Sequence, residues 1–138
     1  MKWLGTLDIP PYEHALQLIQ CLTVKLTKEA MSERSQDALI LAIEEVYHYC
    51  VKRLEKQMLN APVKVSWQVE SSVWIITIDY AGLPGELESY FDINGARMTF
   101  KRTTFEALGL YIAREMLKHL EWERRSNNKN RFILTFNI

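Results

Sequence analysis

The stretch Val63-Lys64-Val65-Ser66-Trp67-Gln68-Val69 alternates apolar and polar residues without a break, and it constrains the fold more than any other part of the chain. A period of two is the signature of a strand with one face on a core and the other in water. Asn60-Ala61-Pro62 isolates the stretch on one side, and Glu70-Ser71-Ser72 makes a tight turn on the other. Val73 to Asp79 then forms a second strand, whose nearly continuous apolar run fits a central position in a sheet. Two strands joined by so short a turn pair antiparallel, and their apolar face must be covered by another part of the chain.

Helices that can cover it come first in the sequence. From Tyr12 to about Thr27, residues Ala15, Leu18, Ile19, Leu22 and Leu26 fall on one stripe at helical spacing. Pro10-Pro11 opens this helix and also ends a short alternating stretch, Trp3, Gly5, Leu7 and Ile9, that reads as an edge strand. A second helix begins at Ser32, an N-cap residue followed by the first-turn acid Glu33, and runs to about Met58. Its stripe of Leu39, Ile43, Val46, Cys50 and Leu54 is the clearest helical pattern in the chain.

After the first hairpin, periodicity is lost between Ala81 and Thr104, a length that marks a functional loop or lid. It returns as a helix carrying Phe105, Leu108, Ile112, Met116 and Leu120, with Gly109 and Ala113 as a small-residue strip for close packing. A closing hairpin runs from Leu120 to Arg125, turns through Ser126 to Asn130, and returns along Arg131 to Ile138. The order β, α, α, β, β, long loop, α, β, β predicts an α+β two-layer sandwich, a mostly antiparallel mixed sheet with helices on one face. Nothing divides residues 1–138, so a single domain is expected.

A chain of 138 residues with 48% hydrophobic content can bury its core without disulfides. Cys21 and Cys50 lie inside apolar helical patterns without metal-ligand spacing, and both are expected as buried thiols in a reducing compartment. The start, MKWLGTLDIPPYEH, lacks the basic-then-apolar pattern of a secretory signal, and no apolar run reaches membrane-spanning length. A cytoplasmic location with no membrane partner is therefore expected. Seventeen acidic residues balance seventeen basic ones, and no reading motif is present, which argues against direct nucleic-acid binding. The basic residues gathered between Lys101 and Arg131 fit a solvated helix face and hairpin rim, with contact to phosphate or an acidic partner left open. His48 and His119 have no partner at ligand spacing and read as packing or surface residues.

Three stretches, in order, resemble the nucleotide boxes of the GHKL or Bergerat-fold ATPase superfamily, most closely its anti-sigma-factor and serine-protein-kinase branch. Leu41-Ala42-Ile43-Glu44-Glu45-Val46-Tyr47-His48-Tyr49 is similar to the helix that carries the N-box, in which a glutamate precedes a magnesium-binding asparagine by four residues. Positions i and i+4 share a helix face, so a base and a metal ligand can act on one group. Glu45 matches the glutamate, and Tyr49 stands at the asparagine. Ile76 to Gly85 resembles the G1 box, where an aspartate at a strand end accepts a hydrogen bond from the adenine amino group and a glycine follows two residues later. Asp79 matches; Ala81 takes the glycine's place and Gly82 is displaced by one. Phe105 to Ile112 is similar to the G2 box, a glycine-rich entry into a helix whose N–H groups cradle phosphates, with Gly109 matched and Ala107 in place of the first glycine.

The resemblance extends through Met116 to Arg125 and the closing hairpin, and it implies a domain that binds ATP with magnesium, pairs as a homodimer, grips a sigma factor and phosphorylates a serine on a small antagonist protein. Glu45 would then be the catalytic base, Asp79 the reader of adenine, and Gly82, Gly85, Ala107 and Gly109 the shapers of the phosphate loop. Tyr49 removes the asparagine on which metal-dependent turnover depends, so ATP can be bound without being used. The other reading is a noncatalytic protein-interaction module on the same fold, with no cofactor and with Tyr47 and Tyr49 filling the nucleotide's space. Residue by residue, Glu45 is otherwise a solvated helix acid beside Glu44, and Asp79 otherwise caps the turn after its strand.

Overall fold

The computed structural model describes residues 2–12, 15–85, 87, 91 and 107–138. These hold five strands, β1 (Lys2–Ile9), β2 (Val63–Glu70), β3 (Val73–Ala81), β4 (His119–Arg125) and β5 (Lys129–Asn137), and three helices, α1 (Leu16–Thr27), α2 (Glu33–Lys56) and α3 (Leu108–Met116). The strands form one sheet in the order β1-β2-β3-β5-β4. The chain is thus α+β, with β1 at an edge and β3 at the centre as their patterns predict.

The sheet departs from expectation in one respect: it is not mixed. Every ladder is antiparallel. The crossover through α3 does bring β4 in along the direction of β3, but the hairpin strand β5 pairs with both and separates them. A parallel relation exists in the sheet without ever becoming a parallel ladder.

Alternation sets the two faces. Val63, Val65 and Trp67 of β2 and Trp74, Ile76, Ile78 and Tyr80 of β3 are buried, whereas Ile75, Thr77 and Asp79 on the opposite face are half-buried. Against the buried face α2 lays Leu39, Ile43, Val46, Cys50 and Leu54, each fully buried. The Ser32 hydroxyl caps α2 by accepting the Ser35 N–H at 3.2 Å. Left-handed backbone at Ser71 lets the β2–β3 turn close, and Asn127 and Asn128 do the same between β4 and β5, where asparagine tolerates positive φ better than most residues.

Three expectations need correction. First, α1 starts at Leu16 rather than Tyr12, because the approach is tied down as turns: Tyr12 donates its N–H to the Pro10 carbonyl at 2.8 Å, and Ala15 to that of Tyr12 at 3.0 Å. Second, the α1 stripe holds except at Leu18: Ala15 and Ile19 are buried and Leu22 and Leu26 pack against the core, but two threonines share that face. Ile19, Thr23 and Thr27 face inward while Leu18 is 53% exposed, and Cys21 is exposed rather than a buried thiol. The Thr27 hydroxyl donates to the Thr23 carbonyl at 2.7 Å, which satisfies one polar group in the core. Third, Leu120 belongs to β4 and not to the preceding helix. Leu117 is already extended, and the Lys118 N–H donates to the Thr135 carbonyl at 2.8 Å, drawing the chain into the sheet. Most of the stretch from Ala81 to Thr104, together with Phe105, lies outside the described residues. Among the described residues, no helix is long and apolar enough to cross a membrane.

Candidate functional site

Glu45 lies midway along α2 and Gly109 in the first turn of α3, and the structure brings them together. A Cβ at Gly109 would sit 2.6 Å from Glu45 Oε2, so the missing side chain is what lets the carboxylate rest against the backbone of α3. Beside this contact is a cavity of about 430 Å³. From α2 it is lined by Glu45, His48, Tyr49, Lys52 and Lys56, which recur at the three- and four-residue spacing of one helix face. From α3 it is lined by Leu108, Gly109 and Ile112. Burial, reinforced by the Glu45 charge, holds the neighbouring Glu44 carboxyl above the usual carboxylate range. Ala107 is the buried N-cap position of α3 and supplies no side-chain hydrogen bond there.

Asp79 is not in this group. It lies on the sheet face opposite α2, directly across from Arg131 in the β3–β5 register. Arg131 grips it with two hydrogen bonds, Nε to Oδ1 at 2.6 Å and an Nη to Oδ2 at 2.9 Å. Both side chains keep part of their surface in water, 28% for Arg131 and 22% for Asp79, so the pair is a surface-side brace between central strands. Asp79→Asn is expected to lower stability by about 1 kcal/mol, read by urea denaturation, because a charge-assisted bidentate contact becomes a neutral one. An unchanged midpoint would show that the brace carries no load.

Gly82 and Gly85 are held at the end of β3, away from the cavity lining. Gly82 has φ of +112°, and a Cβ on it would meet the Gln57 side chain at 2.5 Å. Its N–H donates to the Asn128 carbonyl at 2.7 Å, and its carbonyl accepts from Asn130 Nδ2 at 2.9 Å and from the Arg124 guanidinium. Gln57 Oε1 accepts the Leu83 N–H at 2.7 Å, and the Arg53 guanidinium packs where a Gly85 Cβ would be. The turn is thereby fastened both to the end of α2 and to the β4–β5 hairpin.

The position that does face α2 at the end of β3 is Tyr80. Its ring stacks on Phe132 at 5.8 Å between centroids, and Tyr49 meets the same Phe132 edge-on at 5.9 Å. Phe91 tilts against both Phe132 and Trp122, completing an aromatic cluster under α2. The Tyr80 hydroxyl is buried without a hydrogen-bond partner, and burial pushes its pKa far above the tyrosine range. Tyr47 faces elsewhere: its hydroxyl donates to the Pro10 carbonyl at 2.7 Å and to that of Tyr12 at 3.2 Å. Among the described residues, no three His, Cys, Asp or Glu side chains gather as a metal site would require.

Of the residues singled out from sequence, Glu45 and Gly109 meet, with Ala107 at the start of the same helix; Asp79, Gly82 and Gly85 serve other contacts. Tyr80, Lys52, Lys56 and Ile112 were missed. Strand alternation from Ile76 already places Tyr80 on the buried face, and helical spacing from Glu45 and Gly109 already points to the other three. No family model matches the chain, and no curated protein matches it.

Proposed function

We propose that the chain is an anti-sigma-factor-like regulatory domain of Bergerat type, cytoplasmic and homodimeric, that acts by binding partner proteins and transfers no phosphate. The observation that carries the last part, that no phosphate is transferred, is the register at the end of β3. Counting back two residues from Gly82, the interval the G1 box requires, reaches Tyr80, and Tyr80 faces α2. Asp79 is one residue off, and in a strand one residue is the difference between one face and the other.

ATP with magnesium does not fit the side chains present. Reading adenine needs a carboxylate acceptor toward α2, and that place holds a phenol stacked on Phe132. Holding the metal needs an amide oxygen four residues after Glu45, and that place holds Tyr49, 4% exposed and packed on the same ring. Glu45 keeps its position beside Gly109 but has no oriented metal-bound phosphate to serve. What remains of such a domain is its surface, and a sigma factor or a small antagonist protein is the class of partner it would take.

Calorimetric titration with ATP and magnesium tests the nucleotide half: no saturable heat at millimolar ATP is expected. Micromolar, magnesium-dependent affinity overturns it. Mixing with sigma factors and small antagonist proteins tests the other half, and failure to form a micromolar complex with either class overturns the partner assignment.

A further inference from the structure

The cavity between α2 and α3 remains after the aromatic cluster has taken the neighbouring space, and its two ends differ in charge. Its volume of about 430 Å³ is that of a small-molecule site. The walls are mainly apolar, with Leu108 and Ile112 from α3 and the Tyr49 ring from α2. Lys52 and Lys56 stand at one end. Lys52 is paired with Glu55 at 3.5 Å, and Lys56 has an interaction of its own, so neither offers a free charge to a ligand. Glu45 stands at the other end, about 10 Å from Lys52 and about 16 Å from Lys56 along the helix axis at about 1.5 Å per residue. Those separations match or exceed the distance over which salt screens charges in water.

Glu45 differs from both lysines. Among the described residues its half-buried carboxylate accepts no hydrogen bond and forms no ion pair. Gly109 is what gives it room, since a Cβ there would sit 2.6 Å from Oε2. A carboxylate left unpaired on a mainly apolar wall costs free energy until something donates to it. Its charge is felt nearby, where it helps to hold the Glu44 carboxyl above the usual carboxylate range. The unpaired charge at this site is therefore negative, and a cationic donor is what satisfies it.

We propose that the cavity binds a small organic monocation, an ammonium group carried on a compact apolar body. The ammonium donates to Glu45 beside Gly109, and the apolar body lies against Tyr49, Leu108 and Ile112. An anionic ligand would instead bring like charge to Glu45. Binding of this kind rests on the preceding reading, in which no nucleotide occupies the cavity.

The test is calorimetric titration of the full chain at neutral pH with three ligands that share an aromatic body: phenethylammonium chloride, phenethyl alcohol and sodium phenylacetate, with ATP and magnesium in parallel. The ammonium is expected to bind once per chain and saturably, at least about tenfold more tightly than the alcohol, with phenylacetate weakest. Glu45→Gln, which keeps the shape and removes the charge, is expected to bring the ammonium down to the alcohol's affinity and to leave the alcohol's unchanged. Thermal unfolding near the wild-type midpoint shows that the variant is folded, and the comparison of the three ligands on the wild-type chain needs no variant. Ammonium binding no tighter than the alcohol, or a folded Glu45→Gln chain that still prefers the ammonium, overturns the assignment. No saturable ammonium binding, with ATP also silent, overturns it alone. Micromolar ATP binding that competes with the ammonium overturns the preceding reading and this one together.

Discussion

Phe132→Ala is expected to destabilise the domain by about 3–5 kcal/mol, the usual cost of emptying a fully buried phenylalanine site. Phe132 is completely buried, sits between Ile78 and Trp122 in the sheet register, and is the ring that Tyr49, Tyr80 and Phe91 all contact. Each aromatic pairing adds about 0.5–1.5 kcal/mol beyond the area it buries. Since a domain of this size is stable by only about 5–15 kcal/mol, the urea midpoint should fall by more than about 1 M. Phe132→Leu, which keeps most of the volume, should cost less than half as much. A loss below about 1.5 kcal/mol for the alanine variant would mean that the cluster collapses freely and is not the rigid filling described above.

The second large effect is alkaline. Unfolded tyrosines ionise near pH 10, whereas burial holds the Tyr47 proton up to about 12 and the Tyr80 proton higher still. Burial also raises the Cys50 thiol well above its ordinary range. Between the unfolded and folded values the unfolded chain has released protons that the folded chain keeps, so rising pH favours unfolding. The stability tied to Tyr47 is complete below about pH 10 and is lost as pH rises to about 12. Within that window Tyr47, Tyr80 and Cys50 each contribute a slope of up to about 1.4 kcal/mol per pH unit, so together they should cost up to about 4 kcal/mol per unit. Urea denaturation from about pH 8 to about pH 11.5 measures this. Tyr47→Phe should flatten the slope by roughly a third, while losing about 1 kcal/mol near neutral pH with its hydrogen bonds to Pro10 and Tyr12. A profile level to about pH 11.5 would contradict the burial of both hydroxyls.

Both predictions concern groups whose importance sequence patterning conveys unevenly. Phe132 belongs to an alternating strand and is legible as core from its neighbours Leu134 and Phe136. That three other rings converge on it is not legible, because they come from α2, from β3 and from Phe91, which lies between β3 and α3. Glu45 and Gly109 show the same division. Their helices can be drawn from spacing alone, but their contact depends on how closely α2 and α3 cross. Asp79 marks the limit in the other direction: its place at a strand end is legible, but strand alternation puts it on the face where Arg131 braces it and away from α2.

The sequence by itself determined the strands and helices, their order, the inward face of α2 and of the β2–β3 hairpin, and the central place of β3. These follow from local periodicity and turn chemistry, which act over a few residues. Only the tertiary structure decided that β5 lies between β3 and β4, that α1 turns Thr23 and Thr27 inward and Cys21 outward, that Asp79 is braced by Arg131 on the far face, and that Glu45 meets Gly109 beside a largely apolar cavity. Each of these depends on contacts between segments distant in sequence, where packing and pairing partners outweigh the preferences of any single stretch.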